Sequence, residues 1–496
     1  MHLSIENEQI HFALRAVFII FSLSLHPMMR RLYFTALLLA LWCTAAWAQD
    51  DESAGKVKFP GGKCWLYRIT LSDKNGTPYQ IDHPEAFLSQ KAIDRRIRQG
   101  LAIDSTDLPL PPAYLEQISA TGAEIKCLSK WNRTVLVRVK NNKILHAVER
   151  LPFVAGTMKL WTSPDSVKPP VRSFFHKDFS PWEEETDNPY GRAAMQINLV
   201  NGASLHKSGY RGRGLTIAVF DGGFMNVDRI PAMQKINILG TRDFVAFPSK
   251  DIFQEIDHGT KVLSTMAVDE PGMFVGTAPE AAFYLCRTED ANTESRAEED
   301  YWAAAAEFAD SAGVDIINSS LGYHDFNDPA TNYTYDDLDG KTSLVSRTAS
   351  RLAGKGMLLV NSAGNDGMGT WKLIGVPADA DDILTVGAVN GQKQNAAFSS
   401  LGPSFDGRVK PDVMGLGSPA AVVTGRGTII NDMGTSFASP VMAGMVACLW
   451  QALSDKTALQ IIQIVRRSGN RFDRPNNVFG YGIPDFEKAL QMGRKD

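Results

Sequence analysis

From residue 190 onward, mainly apolar runs of four to six residues recur along the chain: 215–220 (Leu-Thr-Ile-Ala-Val-Phe), 282–286, 314–317, 357–360 and 383–386. Strands that read as continuous apolar runs belong in parallel sheets covered on both faces. Helical periodicity lies between them, at 297–312 and 342–353, and a last short helix is expected at 486–492. Strands alternating with helices predict an α/β fold, a doubly wound and mainly parallel sheet, with ligands outside the carboxyl ends of its strands. A further run, from Phe437 to Leu453, is apolar around nearly its whole circumference, which predicts a buried helix. Pro440 near its start is expected to be tolerated, because the first four N–H groups of a helix have no internal partner.

Residues 55–165 show a different rhythm. A strand is expected over 64–71, with Asn75-Gly76 as turn chemistry behind it. Asp82 can cap a helix running through Pro84 to Gly100, and Pro111-Pro112 starts a second one over 114–121. Strand character returns over 124–139, a helix over 141–151, and a strand over 153–161. This predicts a small α+β domain, an open sheet with helices on one face. Residues 166–189 are rich in proline and carry Glu183-Glu184-Glu185, so they read as an exposed linker to a second domain spanning 190–496.

The amino terminus stands apart from both. Met29-Arg30-Arg31, an apolar run from Leu32 to Trp42, and Ala46-Trp47-Ala48 have the order of a signal peptide cut after Ala48, so residues 1–48 are expected to be removed. A second apolar run upstream, from Phe12 to Leu25, points to Met28 or Met29 as the true start. No later run is long enough to span a membrane. The expectation is a secreted protein, extracellular or periplasmic. Four cysteines then remain; Cys64 and Cys127 could pair, while Cys286 and Cys448 read as small buried hydrophobes.

Charge adds one point. The 496 residues carry a net charge of −4, so no bulk attraction to nucleic acid is implied. That near-balance hides a split: residues 55–170 carry +8 and residues 171–496 carry −10. A cationic small domain and an acidic large one would attract each other.

The candidate chemistry sits at one predicted sheet edge. Asp221-Gly222-Gly223 follows the 215–220 strand, Asn318 to Gly322 the 314–317 strand, and Asn361 to Asn365 the 357–360 strand. Asp257 to Thr260 opens a helical run over 261–268, and Ser436 stands at the start of the buried helix, behind Gly434. A serine is a weak nucleophile without a base beside it; His258 can be that base. Asp221 can orient the imidazole, and the Asn365 amide can donate to an oxyanion. Ser436 as a mere helix N-cap is the competing reading of that stretch alone.

Together these motifs make residues 190–490 resemble the subtilase family of serine endopeptidases. Ala218-Val219-Phe220-Asp221-Gly222-Gly223 is similar to its Asp motif, His258-Gly259-Thr260 to its His motif, and Gly434-Thr435-Ser436-Phe437-Ala438-Ser439-Pro440 to its Ser motif. Ser362-Ala363-Gly364-Asn365 resembles the segment carrying the oxyanion asparagine. Ser320, Leu321 and Gly322 resemble the strand that pairs with the substrate backbone and walls the S1 pocket. The resemblance implies catalytic roles for Asp221, His258, Ser436 and Asn365, polypeptide substrates, and no cofactor or catalytic metal. It also implies that residues 55–165 act as a prodomain, a folding aid and inhibitor carried in the same chain.

Three positions depart from the pattern: Gly222 in place of a hydroxyl or alanine, Lys261 in place of a second histidine, and Val441-Met442 in place of His-Val. Lys261 could lower the pKa of His258, but is expected to point to solvent. Calcium is common in the family, and residues 325–340, with Asp325, Asp328, Asp336, Asp337 and Asp339, are rich in oxygen ligands; a solvated insertion is the favoured reading of this stretch. Tyr333 and Tyr335 could line the substrate cleft. The alternative to an enzyme is a catalytically silent subtilase-fold binding protein, occluded by its own N-terminal domain. An esterase is disfavoured, because no Gly-x-Ser-x-Gly surrounds Ser436.

Overall fold

A seven-stranded parallel sheet forms the centre of the larger domain. Its spatial order is Val413–Ser418, Leu384–Asn390, Leu358–Ser362, Ile316–Ser319, Thr216–Asp221, Ala282–Arg287, Asn237–Asp243. The computed structural model describes residues 57–59, 61–167, 182 and 186–495. The expected signal peptide and most of the expected linker lie outside these residues. Val57–Lys58 and Ser166–Val167 pair antiparallel in a small unit of their own; the other described residues belong to a second unit, which contains both folded domains. No helix of the described residues is long and apolar enough to cross a membrane.

The first strand shows why the apolar runs are continuous. Ile217 and Val219 face one layer, with Val360, Leu384 and the helix Thr435–Ala452. Ala218 and Phe220 face the other, with Ile317, Leu359 and Trp302 of the helix Ala297–Ala312. Both faces are dry, so neither residue parity is polar. This first strand lies between the third and fourth strands in chain order, so the sheet changes direction beside it. Such a switch point is where open α/β sheets hold their ligands.

Two strands of this sheet escape the apolar pattern. Asn237–Asp243 is an edge strand with little buried surface. Val413–Ser418 contains two glycines, and both are there for packing. A Cβ on Gly415 would stand 3.0 Å from the Ala438 carbonyl oxygen, and one on Gly417 only 2.7 Å from that of Gly434. The helix that begins with Thr435 lies directly against this strand, and the glycines open the space for it. At Gly434 itself a Cβ would have room, its nearest neighbours lying at 3.6 Å, so the close approach is provided by Gly417.

The smaller domain is a four-stranded antiparallel sheet in the order Glu124–Ser129, Thr134–Val139, Trp65–Leu71, Val154–Thr162. The helices Pro112–Ala120 and Asn142–Glu149 cover one face through Ile69, Leu71, Val135, Val137, Ile118 and Val148. The opposite parity, including Leu66, Leu136 and Cys127, packs against Ala297 and Tyr301 of the larger domain. The predicted long helix from Asp82 is instead a short 3-10 turn, Pro84–Ala86, followed by the helix Gln90–Gln99. Its cap is Ser89, whose hydroxyl accepts from Ala92 N. The pairing allowed for Cys64 and Cys127 does not form: both are buried free thiols, and Cys127 Sγ donates instead to the Phe244 carbonyl at 3.1 Å.

Ion pairs tie the two domains together. Arg68 grips Asp300 through two nitrogens, at 2.6 and 2.9 Å to the same carboxylate oxygen. Arg95 and Arg96 both reach Asp310, and Arg96 also meets Asp107, which in turn holds Lys355 at 2.8 Å. Glu307 accepts from Ser129 Oγ and from the backbone of Lys130 and Trp131. The cations come mostly from the smaller domain and the carboxylates mostly from the helix Ala297–Ala312, as the charge split anticipates.

Candidate active site

Asp221 ends the first strand and is buried. Its carboxylate accepts from Gly222 N at 2.8 Å and faces His258 Nδ1 at 2.9 and 3.0 Å. His258 is the first residue of the helix His258–Ala267. The next residue must be glycine: a Cβ there would lie 2.4 Å from Gly223 O and 2.9 Å from Asp221 Cβ. That contact brings the helix close enough for the imidazole to reach the strand end. Burial disfavours the imidazolium, but the charge of Asp221 and the hydrogen bond to it outweigh burial and raise the His258 pKa above its ordinary 6.5. Lys261 opposes that rise, yet it does not point to solvent: its Nζ pairs with Asp432 at 3.0 Å. At Gly222, Ile256 fills the space that a side chain would need.

Ser436 is the second residue of the helix Thr435–Ala452, so its N–H has no partner within the helix. Pro440 is the sixth residue, beyond the four positions where proline is harmless. Its missing N–H would have bonded the carbonyl of Ser436, and the Ser320 hydroxyl donates to that carbonyl instead, at 2.9 Å. Ser320 Oγ in turn accepts from Asn318 Nδ2 at 3.2 Å, and Asn318 Oδ1 accepts from Ser439 Oγ at 2.9 Å. The serine-bearing turn is thus braced from the fourth strand. The Ser436 hydroxyl itself turns to Ser320 O at 3.4 Å, and no hydrogen bond joins it to His258 among the described residues. The His258 ring lies 6.0 Å, centre to centre, from that of Phe437, the residue after Ser436.

Asn365 is oriented by the same helix. Its Oδ1 accepts from Thr435 N and Thr435 Oγ1, both at 3.0 Å, which leaves Nδ2 for another acceptor. Asn365, Ser320, Leu321, Gly322 and Ser436 line one cleft of about 400 Å³. Asp221, His258 and Leu321 line a neighbouring one of about 320 Å³. Asn361 Nδ2 holds the Leu321 carbonyl at 3.1 Å, while Gly322 makes no backbone hydrogen bond among the described residues. A larger cavity, about 660 Å³ and lined by Lys74, Lys130 and Arg351, contains none of these residues.

Residues 212–482 match the model of the subtilase family, more than half of the chain. The chain belongs to the subtilase family. Membership makes it a serine-type peptidase by family, with the fold expected for one. Residues 66–171 of this subtilase match a second model, the peptidase S8 propeptide domain of Bacteroidota. Subtilisin NAT of Bacillus subtilis subsp. natto is 26% identical over 374 residues, covering 74% of this chain and 88% of its own. Subtilisin of Bacillus pumilus is 29% identical over 264 residues, covering 53% and 84%. Among solved structures, the MycP3 protease of the type VII (ESX-3) secretion system aligns at 22% identity, with a TM-score of 0.48, over 62% of this chain and 91% of its own.

The insertion at 325–340 does not serve the cleft through its tyrosines. Tyr333 is buried, with its hydroxyl on Glu299, and the Tyr335 hydroxyl donates to Ser404 O. Its carboxylates mostly cap their own turns: Asp328 accepts from Ala330 N, Asp337 from Thr334, and Asp339 from Lys341 and Thr342. The sequence reading missed the support roles of Thr435, Asn318 and Asn361. A proline four residues after the serine was the available signal that some outside donor had to serve the Ser436 carbonyl.

Proposed function

We propose that this subtilase is an exported endopeptidase that cuts peptide bonds through an Asp221–His258–Ser436 triad and an acyl-enzyme. The observation that carries the reading is convergence: His258 held by Asp221, Ser436 at a helix start, and the free amide of Asn365 all meet at adjoining clefts. When substrate enters, Ser436 Oγ leaves Ser320 O and passes its proton to His258 Nε2, the ring nitrogen that Asp221 leaves open. Asp221 stabilises the imidazolium so formed. The oxyanion accepts from Asn365 Nδ2 and Ser436 N–H. His258 then protonates the leaving amine, and water repeats the sequence on the acyl-enzyme. An extended substrate adds a strand along Ser320, Leu321 and Gly322, where the backbone groups of Gly322 make no bond among the described residues. Named side chains and backbone groups handle each proton and charge, so these steps call for no cofactor; a bound calcium ion would act on stability.

The order of charge, apolar run and small residues up to Ala48 supports export. The propeptide match and the buried ion pairs support an N-terminal domain that assists and inhibits the enzyme in the same chain. Those ion pairs also favour a second reading, a silent binding protein that never releases this domain.

Intact mass of residues 49–496, wild type and Ser436→Ala, before and after a fluorophosphonate probe separates the two. Loss of roughly the N-terminal domain with gain of one adduct, both abolished by Ser436→Ala, is the expected result. Labelling without cleavage means an active enzyme that keeps the domain. Neither event, even after an external activating protease, would leave the silent binding protein.

A further inference from the structure

The two clefts share two lining residues besides Leu321: Glu289 and Glu294, on the loop after the strand Ala282–Arg287. Asp325 and Asp366 add carboxylates to the cleft that holds Ser436. Among the described residues, no lysine or arginine lines either cleft. The cationic candidate is His324, whose Nε2 lies 3.3 Å from Asp366 and whose ring stacks on Trp371. Glu289 is held by a neutral partner, the Tyr323 hydroxyl. Behind the pair, Glu298 closes a triangle in which one oxygen from each carboxylate lies within 4.8 Å of the others. Glu298 is satisfied by Asp290 N and Ser295 N, again without a cation.

This arrangement is costly when empty. Burial first, then the charge of Glu294, pushes the Glu289 carboxyl well above the carboxylate range. Burial also lifts Glu294 to about 7, with Asp325 adding to the rise and His324 opposing it. An incoming cation would relieve both terms at once. The cleft offers little to an apolar side chain in return: Leu321 is its one large apolar lining residue.

Accordingly, we propose that the cleft selects polypeptides with a lysine or arginine on the acyl side of the bond cut, its cationic end lying between Glu289 and Glu294. This rests on the peptidase reading of the same cleft and names the substrate class for it.

The test uses internally quenched peptides that differ only in carrying Arg, Lys, Phe, Leu or Glu at each of the first four positions on the acyl side. At one of these positions, Arg or Lys raises kcat/KM at least about tenfold over Phe, and Glu is worst. Glu294→Gln lowers that Arg-to-Phe ratio about tenfold, and Glu294→Lys moves preference toward Glu. Phe or Leu matching Arg at all four positions overturns the proposal, as does a ratio unchanged in both Glu294→Gln and Glu289→Gln. If Glu289→Gln does not fold, the wild-type panel and the Glu294 variants still decide. Fluorophosphonate labelling runs alongside. A labelled enzyme with apolar preference refutes the substrate class alone, while a protein that stays unlabelled and inactive even after an external activating protease refutes the peptidase reading and this inference with it.

Discussion

Two carboxylate groups on one helix meet opposite surroundings. Asp300 and Asp310, in the body of Ala297–Ala312, receive arginines from the N-terminal domain. Glu298, in the first turn of the same helix, meets Glu289 and Glu294 at the cleft. Buried charge is tolerated in both places, but by different means. At the domain interface Asp300 and Asp310 are neutralised by arginines, and Glu307 is held by the Ser129 hydroxyl and two backbone N–H groups. At the cleft the anions are satisfied only by backbone N–H groups and a tyrosine hydroxyl, which accommodate the charge without cancelling it. A folded protein keeps such an imbalance where a ligand completes it. The Asp221–His258 contact belongs with the paired kind, which is why His258 is the raised base of the site.

The largest effect that breaks this pattern is expected at that pair. Asp221→Asn should lower kcat by about 10⁴-fold. With neutral His258 as the proposed base, wild-type kcat/KM should fall as pH drops through a value above 6.5, and Asp221→Asn should move that limb to lower pH. A pH–rate profile on one peptide checks both statements.

Next is the domain interface. Asp310→Ala strands Arg95 and leaves Arg96 with Asp107 alone, and removing one partner of a buried pair costs about 3–5 kcal/mol. Denaturant unfolding in the Ser436→Ala background, where processing is off, reads this directly. Glu298→Gln in the same assay should cost less, about 1–3 kcal/mol, since it removes repulsion but keeps only one of the two acceptor oxygens.

The Arg-to-Phe selectivity ratio sharpens the cleft side. It should fall as pH drops through about 7, where Glu294 takes a proton amid Glu289, Glu298, Asp325 and His324. Titration of His258 affects both peptides alike and cancels in the ratio.

The smallest effect is on stability, and its sign differs between the regions. The Glu294 value is raised in the folded state, so its contribution is fully present below about 4.5 and is lost as pH rises through about 7. Burial alone would raise the Asp310 value, but Arg95 and Arg96 outweigh it and lower it. The Asp310 contribution is therefore present above 3.8 and is lost only as pH falls through the lowered folded value. Moving Ser436→Ala protein from pH 8 to 5 should raise its unfolding free energy, and adding Glu294→Gln should flatten the rise by about 1 kcal/mol.

Much of this molecule could be read from the pattern of its residues. Five of seven parallel strands were legible because both faces are buried, which leaves no polar alternation to confuse with anything else. Val413–Ser418 was not, since its glycines answer to the helix packed on it rather than to strand propensity. Asp221, His258, Asn365 and Ser436 were legible because each follows a strand or opens a helix. Ser320 was legible as a residue of the same sheet edge, but not as the donor to the Ser436 carbonyl.

The sequence by itself determined the doubly wound sheet, the small α+β domain before it, the charge split between them and the residue types at the sheet edge. These follow from local periodicity and motif order, which neighbouring residues carry. Only the tertiary structure decided that Pro440 is compensated by Ser320, that Lys261 pairs with Asp432, and that Cys64 and Cys127 stay reduced. It also decided that Glu298 meets Glu289 and Glu294 while Asp300 and Asp310 face arginines. Partners distant along the chain set each of these outcomes, because a buried charge or an orphaned carbonyl is answered by whatever group the fold places within about 3 Å of it.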